Sequence, residues 1–499
     1  MTVAAALSIA TSGLANINSQ LALTSQNVAN ASTPGYAAEV ATEQSVVADG
    51  MGLGVRSLPA TRDVDAVLQA EVFSQNATVT GLQTRQSALQ AIDAVQGTPG
   101  QNGDLASLLG NLQNQFSTLL NDPSSQAQQS QVVSAATNLA QNINTLSNAY
   151  TAQRQSAQDG IVTEVATLNA TLGTIGGLSD QIVSLKSTGQ STADLENQRD
   201  AAVATLSQLV SVKVLQQPNG DVLIVTSTGQ PLPIHGTANP LSTSDVNVLP
   251  GTSYPGGGIP PIMLGGVDVT KQLQDGQIGV NIALRDATLP TDQAELDEFA
   301  QNLASRFDAQ GLTLFTDPTG NVPSPAAPPA PVQANYVGFA GTIQVNPLVL
   351  ATPSLVRDGT SPLPPAPQPA GGNTGIIQNV LTYTFGSDQA AGVPQPPSNT
   401  RSLGPAGTLN APYTAPSTLG DIAATMLAAQ AQESATTSTQ ADTEQAVQTT
   451  LTSKLSTQSG VNMDTEMSHM IQLQNAYGAN AKIIAAVQAM WTQLLQSVT

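Results

Sequence analysis

Two histidines, His235 and His469, are the only imidazoles in the chain, and there is no cysteine. Acyl transfer needs a nucleophile beside a base, and a structural zinc site needs closely spaced His and Cys ligands. His235 lies in a Pro/Gly loop, and His469 sits one position before Met470 on a helical repeat near the C-terminus. Both read as solvated side chains. "DPTGN" at 317–321 has the opening of a calcium loop, but Pro328 stands where such a loop places its bidentate Glu, so a turn is the better reading. "GMGLGV" at 50–55 lacks the spacing of a dinucleotide fingerprint and is followed by no helical pattern, so its glycines are read as permitting a bend. Asp180, Asp194, Glu196, Arg199 and Asp200 form the densest charged cluster, with no nucleophile nearby, and read as a salt-bridged, solvated helix face. The expectation is therefore no catalytic residue, no metal and no cofactor, although an acidic carboxylate pair in the middle of the chain stays open.

Composition narrows the partners. A net charge of −20 and a pI near 4.1 set the chain against nucleic acid and against an anionic membrane surface. No apolar run approaches the ~20 residues that cross a bilayer, and "VAAALSIA" has no basic residues before it, so a cleaved signal peptide is not expected. Aromatics are only 3% of the residues, which favours thin helical packing over a thick core. At 499 residues the chain should divide into roughly three or four domains.

The two ends carry the clearest pattern. No charged side chain precedes Glu39, and the first Lys or Arg is Arg56. Leu7, Ala10, Leu14, Ile17, Leu21, Thr24 and Val28 recur at alternating steps of three and four, the seam of a coiled coil. Thr33-Pro34-Gly35-Tyr36 should end that helix in a type II turn, because Pro34 fixes φ and Gly35 accepts a positive one. At the other end, Asn462 is an N-cap candidate, and Met463, Met470, Tyr477, Ile484, Trp491 and Val498 follow every seven residues. Leu473, Val487 and Leu494 supply the second seam position, which Glu466 and Asn480 interrupt. Narrow stripes of this length are marginal alone, so each should pair with the other or with neighbouring subunits.

Between them, residues 74–210 have helical spacing, with breaks expected at Asn121-Asp122-Pro123, at Gly173–Gly177 and at Gly189, giving about four helices. After Leu209 the period becomes two around Pro218-Asn219-Gly220-Asp221, which predicts a hairpin and a β-rich segment to Ile282. A helix is expected over about 291–310 and another over about 418–458. Pro-rich tracts at 323–331 and 362–369 read as extended surface loop, flanked by short strands at "GTIQVNP" and "NVLTYTFG". The expected fold is mainly α, elongated and multidomain, with terminal coiled-coil helices, a central long-helix bundle and inserted β-rich parts. Its domains are 1–40 with 460–499; then 41–210 with 285–315 and 418–459; then 211–284 and 316–417.

"SGLANINSQLALTSQNVANASTPGY" resembles the N-terminal signature of the axial proteins of the bacterial flagellum, the rod, hook and hook-associated family, and "GVNMDTEMSHMIQLQNAYGANAKII" resembles their C-terminal one. Long Gln-rich helices ahead of "DLENQRDAAVATLSQLVSVKVLQQPNGDVLIVTSTGQPL" resemble the hook-associated members at the junction of hook and filament, as does "GTIQVNP". Ala37 and Ala38 depart from the family, whose members commonly have a hydroxyl and a basic residue there, and the tract 316–417 is unusually Pro-rich. The resemblance implies a non-enzymatic structural subunit, exported without signal cleavage to the extracellular flagellum. It further implies self-association in a ring or helical zone, hook protein on one side, the second hook–filament junction protein on the other, and an export chaperone on the C-terminal helix. The assembly residues would be Leu7, Leu14, Ile17, Leu21, Val28, Met463, Met470, Leu473, Tyr477, Ile484, Val487, Trp491 and Leu494. In a packed tube of like copies, a charge on the first helix would repeat against itself, which accounts for its uncharged sequence. A hook or distal rod protein is the nearest alternative, and a secreted enzyme with flagellar-type ends a more distant one.

Overall fold

The structure, a computed structural model, describes residues 3–48, 51–97, 103–236, 238–361 and 371–496. Gly50, the Pro-rich stretch 362–369 and Val498 lie outside the described residues, as does the side chain of Leu494. Twelve α-helices occur among the described residues: α1 (Val3–Asn30), α2 (Ala66–Gln96), α3 (Leu105–Asn121), α4 (Gln126–Ser187), α5 (Ala193–Leu209), α6 (Gly276–Ala283), α7 (Leu289–Ala309), the short α8 (Pro347–Ala351), α9 (Leu355–Asp358) and α10 (Gly375–Asn379), then α11 (Leu419–Ser459) and α12 (Met463–Gln496). The chain is mainly α and elongated, with small antiparallel sheets inserted between the helices.

The backbone of the molecule is α4, 62 residues long and therefore about 93 Å at 1.5 Å per residue. Its N-terminal half packs with α3, α7 and α11 around Phe116, Leu139, Ile143, Phe299 and Phe307. Its C-terminal half packs with α5, α6 and the sheet of Val212–Gln216, Val222–Thr226 and Pro231–Leu232 around Ile161, Leu168, Ile175, Val203 and Ile224. One helix thus threads two apolar cores. Side-chain caps start the helices where polar residues precede an apolar run: Asp104 for α3, Ser125 for α4, Thr418 for α11.

Three expectations need correction. Gly173–Gly177 does not interrupt α4. Ile175 is fully buried there, and burial outweighs the ~1 kcal/mol a glycine costs in a helix interior. Gly176 instead lets the loop at Ile234 come so close that a Cβ would run into its carbonyl oxygen. The break falls after Gln96, where Gly97 has φ +79, so four helices do form but with one boundary elsewhere. The β-rich segment ends at Asp268, and α6 begins at Gly276 and runs through a π turn (Leu284–Thr288) into α7. Finally, "NVLTYTFG" is no strand. Val380–Thr384 is a π turn that continues α10, because Ile377 and Val380 need the same buried face despite their β-branched neighbours. Gln344–Val345 within "GTIQVNP" is a strand and pairs with Phe315–Thr316.

Candidate assembly site

The uncharged first helix, α1, packs along α12. Asn27 of α1 meets Glu466 of α12, and Gly13 lies against Asn480, so the two helices run antiparallel. Asn462 caps α12, its carboxamide oxygen accepting from the Asp464 and Thr465 amides at 3.1 Å. A second face of α1 is covered by the hairpin Glu43–Ala48/Met51–Ser57. Glu43 accepts from the side-chain amide of Asn16 at 2.6 Å and from that of Gln20, and the Ser12 hydroxyl accepts from the Val55 backbone amide. Gly54, at φ +138, sits where a Cβ would collide with Ser12.

Of the seam residues expected from the repeat, Ile17, Leu473 and Val487 are buried. Leu14, Leu21, Val28, Met470 and Ile484 are half-buried. Leu7, Met463, Tyr477 and Trp491 are exposed, Trp491 at 52%. Beside them stand Met467, Ile471, Ile483 and Met490, also exposed. The pair therefore leaves much of the apolar surface of α12 uncovered. Buried instead are Asn16, Gln20, Thr24 and Asn27. The polar interruptions of the seven-residue repeat, Glu466 and Asn480, face α1, which the apolar pattern alone does not reveal. Their recurrence two heptads apart is the signal that could have found them.

The turn motif closes as its residues dictate. The Tyr36 amide donates to the Thr33 carbonyl at 3.2 Å, with Gly35 at φ +76. The chain then returns along the base of the pair. Ala37 is buried, its amide donating to Asn197 Oδ1 and its carbonyl accepting from Asn197 Nδ2, each at 3.1 Å. The Ala38 amide donates to the Ser459 carbonyl at the end of α11 at 2.8 Å. Both departures from the family pattern thus sit where the turn is fastened to the bundle, and a larger residue at the first would have to be buried.

Part of the charged cluster is a clasp: Glu196 and Asp200 are salt-bridged to Arg62, while Asp180 and Asp194 are exposed as a solvated face would have them. Arg62 inserts among Glu196 (3.2 Å), Asn197 (2.9 Å) and Asp200 (2.8 Å), its side chain only 7% exposed. Arg199 is buried too and donates to the Gly220 carbonyl at 2.7 Å. A sequence reading places the carboxylates but not Arg62, which arrives from more than a hundred residues away. Burial raises the Glu39 carboxyl above its usual range, the nearby Asp194 adds to this, and Arg62 opposes it. Burial likewise raises the Tyr36 phenol, helped by Glu39 and Asp194.

The candidate chemistry disperses. His469 is exposed on α12, and His235 lies between Asp180 (3.4 Å) and Asp221 (3.2 Å) at the rim of an open cleft. The Asp317 carboxylate caps its own loop, Oδ1 accepting from the Thr319 amide and hydroxyl and the Asn321 amide. Among the described residues no group of three or more His, Asp or Glu could hold a metal, and no helix is long and apolar enough to cross a membrane.

Two family models match parts of the chain that carries this arrangement of paired terminal helices, turn and bundle. Residues 89–321 match the flagellar hook-associated protein FlgK helical domain, and residues 454–497 match the C-terminal region of the flagellar basal body rod FlgEFG proteins. The chain is similar to Flagellar hook-associated protein 1 of Bacillus subtilis (strain 168), 26% identical over 221 residues, covering 42% of this chain and 43% of the relative. It is also similar to Flagellar hook-associated protein 1 of Escherichia coli (strain K12), 24% identical over 317 residues, covering 61% and 57%. The chain thus spans about half the length of the curated relatives it matches. Among solved structures, the flagellar hook junction protein FlgK from Burkholderia pseudomallei aligns over 51% of this chain and 45% of that one, with 27% identity and a TM-score of 0.40.

Proposed function

We propose that this chain is a structural subunit of the bacterial flagellum that joins hook to filament and adapts one lattice to the other. The observation that carries the reading is the terminal helix pair: an uncharged α1 and a half-covered α12, fastened to the bundle by the turn at Thr33–Tyr36. A helix that keeps Met463, Tyr477 and Trp491 in water is a surface in wait of neighbours. Leu7, Leu14, Ile17, Leu21, Val28, Met470, Leu473, Ile484, Val487 and Leu494 belong to the same assembly seam. In this role the chain acts by binding copies of itself in a ring or helical zone, with hook protein on one side and the second junction protein on the other. An export chaperone would cover the C-terminal helix before secretion, which proceeds without signal cleavage. It performs no catalysis and takes no cofactor. The terminal pair, the bundle and the outer 211–284 and 316–417 parts would be its domains.

The match of residues 454–497 to rod-type proteins favours a second reading, a hook or distal rod protein. Deleting the gene and examining cells by electron microscopy separates the two. Intact hooks with filament subunits shed into the medium support the junction role; missing hooks support the other.

A further inference from the structure

Asn27 sits at the centre of the joint with 2% of its surface exposed. Its Nδ2 donates to the Glu39 carbonyl at 2.9 Å and to Glu466 Oε1 at 3.1 Å. Its Oδ1 accepts from the Glu39 amide at 3.0 Å and from the Tyr36 hydroxyl at 3.2 Å. A carboxamide offers two donors and two acceptor lone pairs, and all four are taken. Those four bonds reach three separate places: the partner helix α12, the turn motif, and the return strand that leads to the bundle.

We propose that Asn27 is a positioning residue that sets both the register of α1 against α12 and the angle at which the pair leaves the bundle. The inference rests on the assembly reading, since register and angle are what a repeating lattice would need held constant.

Register follows from spacing. Glu466 and Asn480 lie two heptads apart on α12, and the sites they meet, Asn27 and Gly13, lie two heptads apart on α1. Gly13 leaves room for Asn480: a Cβ there would come within 3.3 Å of the Asn480 amide nitrogen. A slide of one heptad one way sets Glu466 against Gln20 and Asn480 against Ala6. A slide the other way sets Glu466 beyond the helix at Pro34 and Asn480 against Gln20. In neither case do both polar groups keep their fitted partners. The apolar seam positions, by contrast, are much alike from heptad to heptad and would tolerate either slide. A buried polar residue in a coiled-coil seam fixes register in this way at some expense in stability.

Angle follows from the two bonds to Glu39. Asn27 holds Glu39 by both backbone groups, and Asn197 of α5 holds Ala37 by both of its own. Helix α1 is thus tied to the bundle two residues apart on the same short segment, which leaves it little freedom to swing.

The test uses the full chain, which has no cysteine of its own, with spin labels on S25C in α1 and Q472C in α12, both exposed. Pulsed dipolar spectroscopy should give one narrow distance in the parent. Asn27→Leu combined with Glu466→Leu keeps the seam apolar and leaves no buried carboxylate unpaired. It should add a second population, because a slide of one heptad moves one helix about 10 Å along the other, or broaden the distribution, while the melting of the bundle stays put. A purely structural Asn27 predicts the same single distance and equal or higher resistance to melting. That result, or a parent distribution that is already broad, overturns the proposal. The angle is read with labels on Q472C and T205C of α5. Asn197→Ala should broaden this distance and leave the S25C–Q472C distance single; an unchanged coil-to-bundle distance refutes the angular role. Neither measurement involves assembly, so the lock can fail while the proposed function stands.

Discussion

The central bundle and the terminal pair are both helical, yet they are held together by opposite means. In the bundle, α4, α7 and α11 interdigitate through Leu139, Phe299, Leu303, Phe307 and Met426, all fully buried, and the Phe307 ring contacts Phe116, Phe315 and Phe385 with centroids 5.5 to 5.8 Å apart. In the terminal pair the fully covered positions are few, and four of the six buried residues described on α1 are Asn, Gln or Thr. Apolar volume makes a core stable but is indifferent to small slides; carboxamides bonded to specific partners make a seam specific but weak. The proposed role, a subunit that folds and then meets its copies, needs one region of each kind.

The largest effect expected from this contrast is in the bundle. Phe299→Ala should destabilise it by about 3–5 kcal/mol, since a buried ring leaves a cavity that a close-packed core does not fill. Urea unfolding followed by circular dichroism measures this; a change below ~1 kcal/mol would mean that the bundle is as loosely packed as the termini.

Ile484→Asp probes the other region. Ile484 is half-buried on α12 and far from the bundle core, so the main thermal transition of the free subunit should scarcely move. Assembly should be lost, because the added carboxylate would recur at every contact between copies. Calorimetry and motility together check it. A variant that melts several degrees lower yet still swims would place Ile484 in the subunit's own core.

The next expectation concerns pH and belongs to the bundle alone. Burial pushes the Asp292 carboxyl up to about 8, with Glu433 adding to it, and Glu295 up to about 9, with Asp292 adding to it; burial takes Asp297 to about 7. Unfolded, such groups titrate near 4. The folded state therefore binds their protons more tightly, and the stability they contribute is whole below about pH 4 and falls away as pH climbs through 7 to 9. The melting temperature should be higher at pH 6 than at pH 9, and Asp292→Asn with Glu295→Gln should flatten that slope. A parent that melts higher at pH 9 would show that these carboxylates are ionised in the fold.

Gly35→Ala should give the smallest change. An L side chain at φ +76 costs about 1–2 kcal/mol, confined to the turn. Faster amide exchange at Tyr36 and Ala38, with bundle amides unaltered, is the expected readout.

How much of this was legible from sequence differs between the same two regions. The start of α11 after Thr418, the Asn462 cap and the turn at Thr33–Tyr36 were all readable, because each depends on residues a few positions apart. The unbroken α4 was not, since the sheet that buries Ile175 and the loop that needs Gly176 lie dozens of residues further on. Arg62 is the sharpest case. Nothing in its own neighbourhood marks it as a partner of Glu196 and Asp200, so carboxylates that belong to a clasp read as a wet helix face. The hairpin over α1 escaped for the same reason, as its polar contacts with Asn16 and Gln20 look, in one dimension, like a solvated stripe.

The bond from the Ala38 amide to the Ser459 carbonyl has a mechanical consequence. Helix α1 enters the bundle through the segment that ends there, and α12 leaves it just beyond Ser459. A pull along the terminal pair therefore reaches the body of the subunit through two segments of chain pinned side by side, with the Asn27, Asn197 and Arg62 contacts on the same joint. Loaded in parallel, such contacts share a force and must yield together, whereas the same bonds arranged in series would unzip one at a time. In the proposed assembly, torque passed along a row of these subunits would meet such shared resistance at the joint.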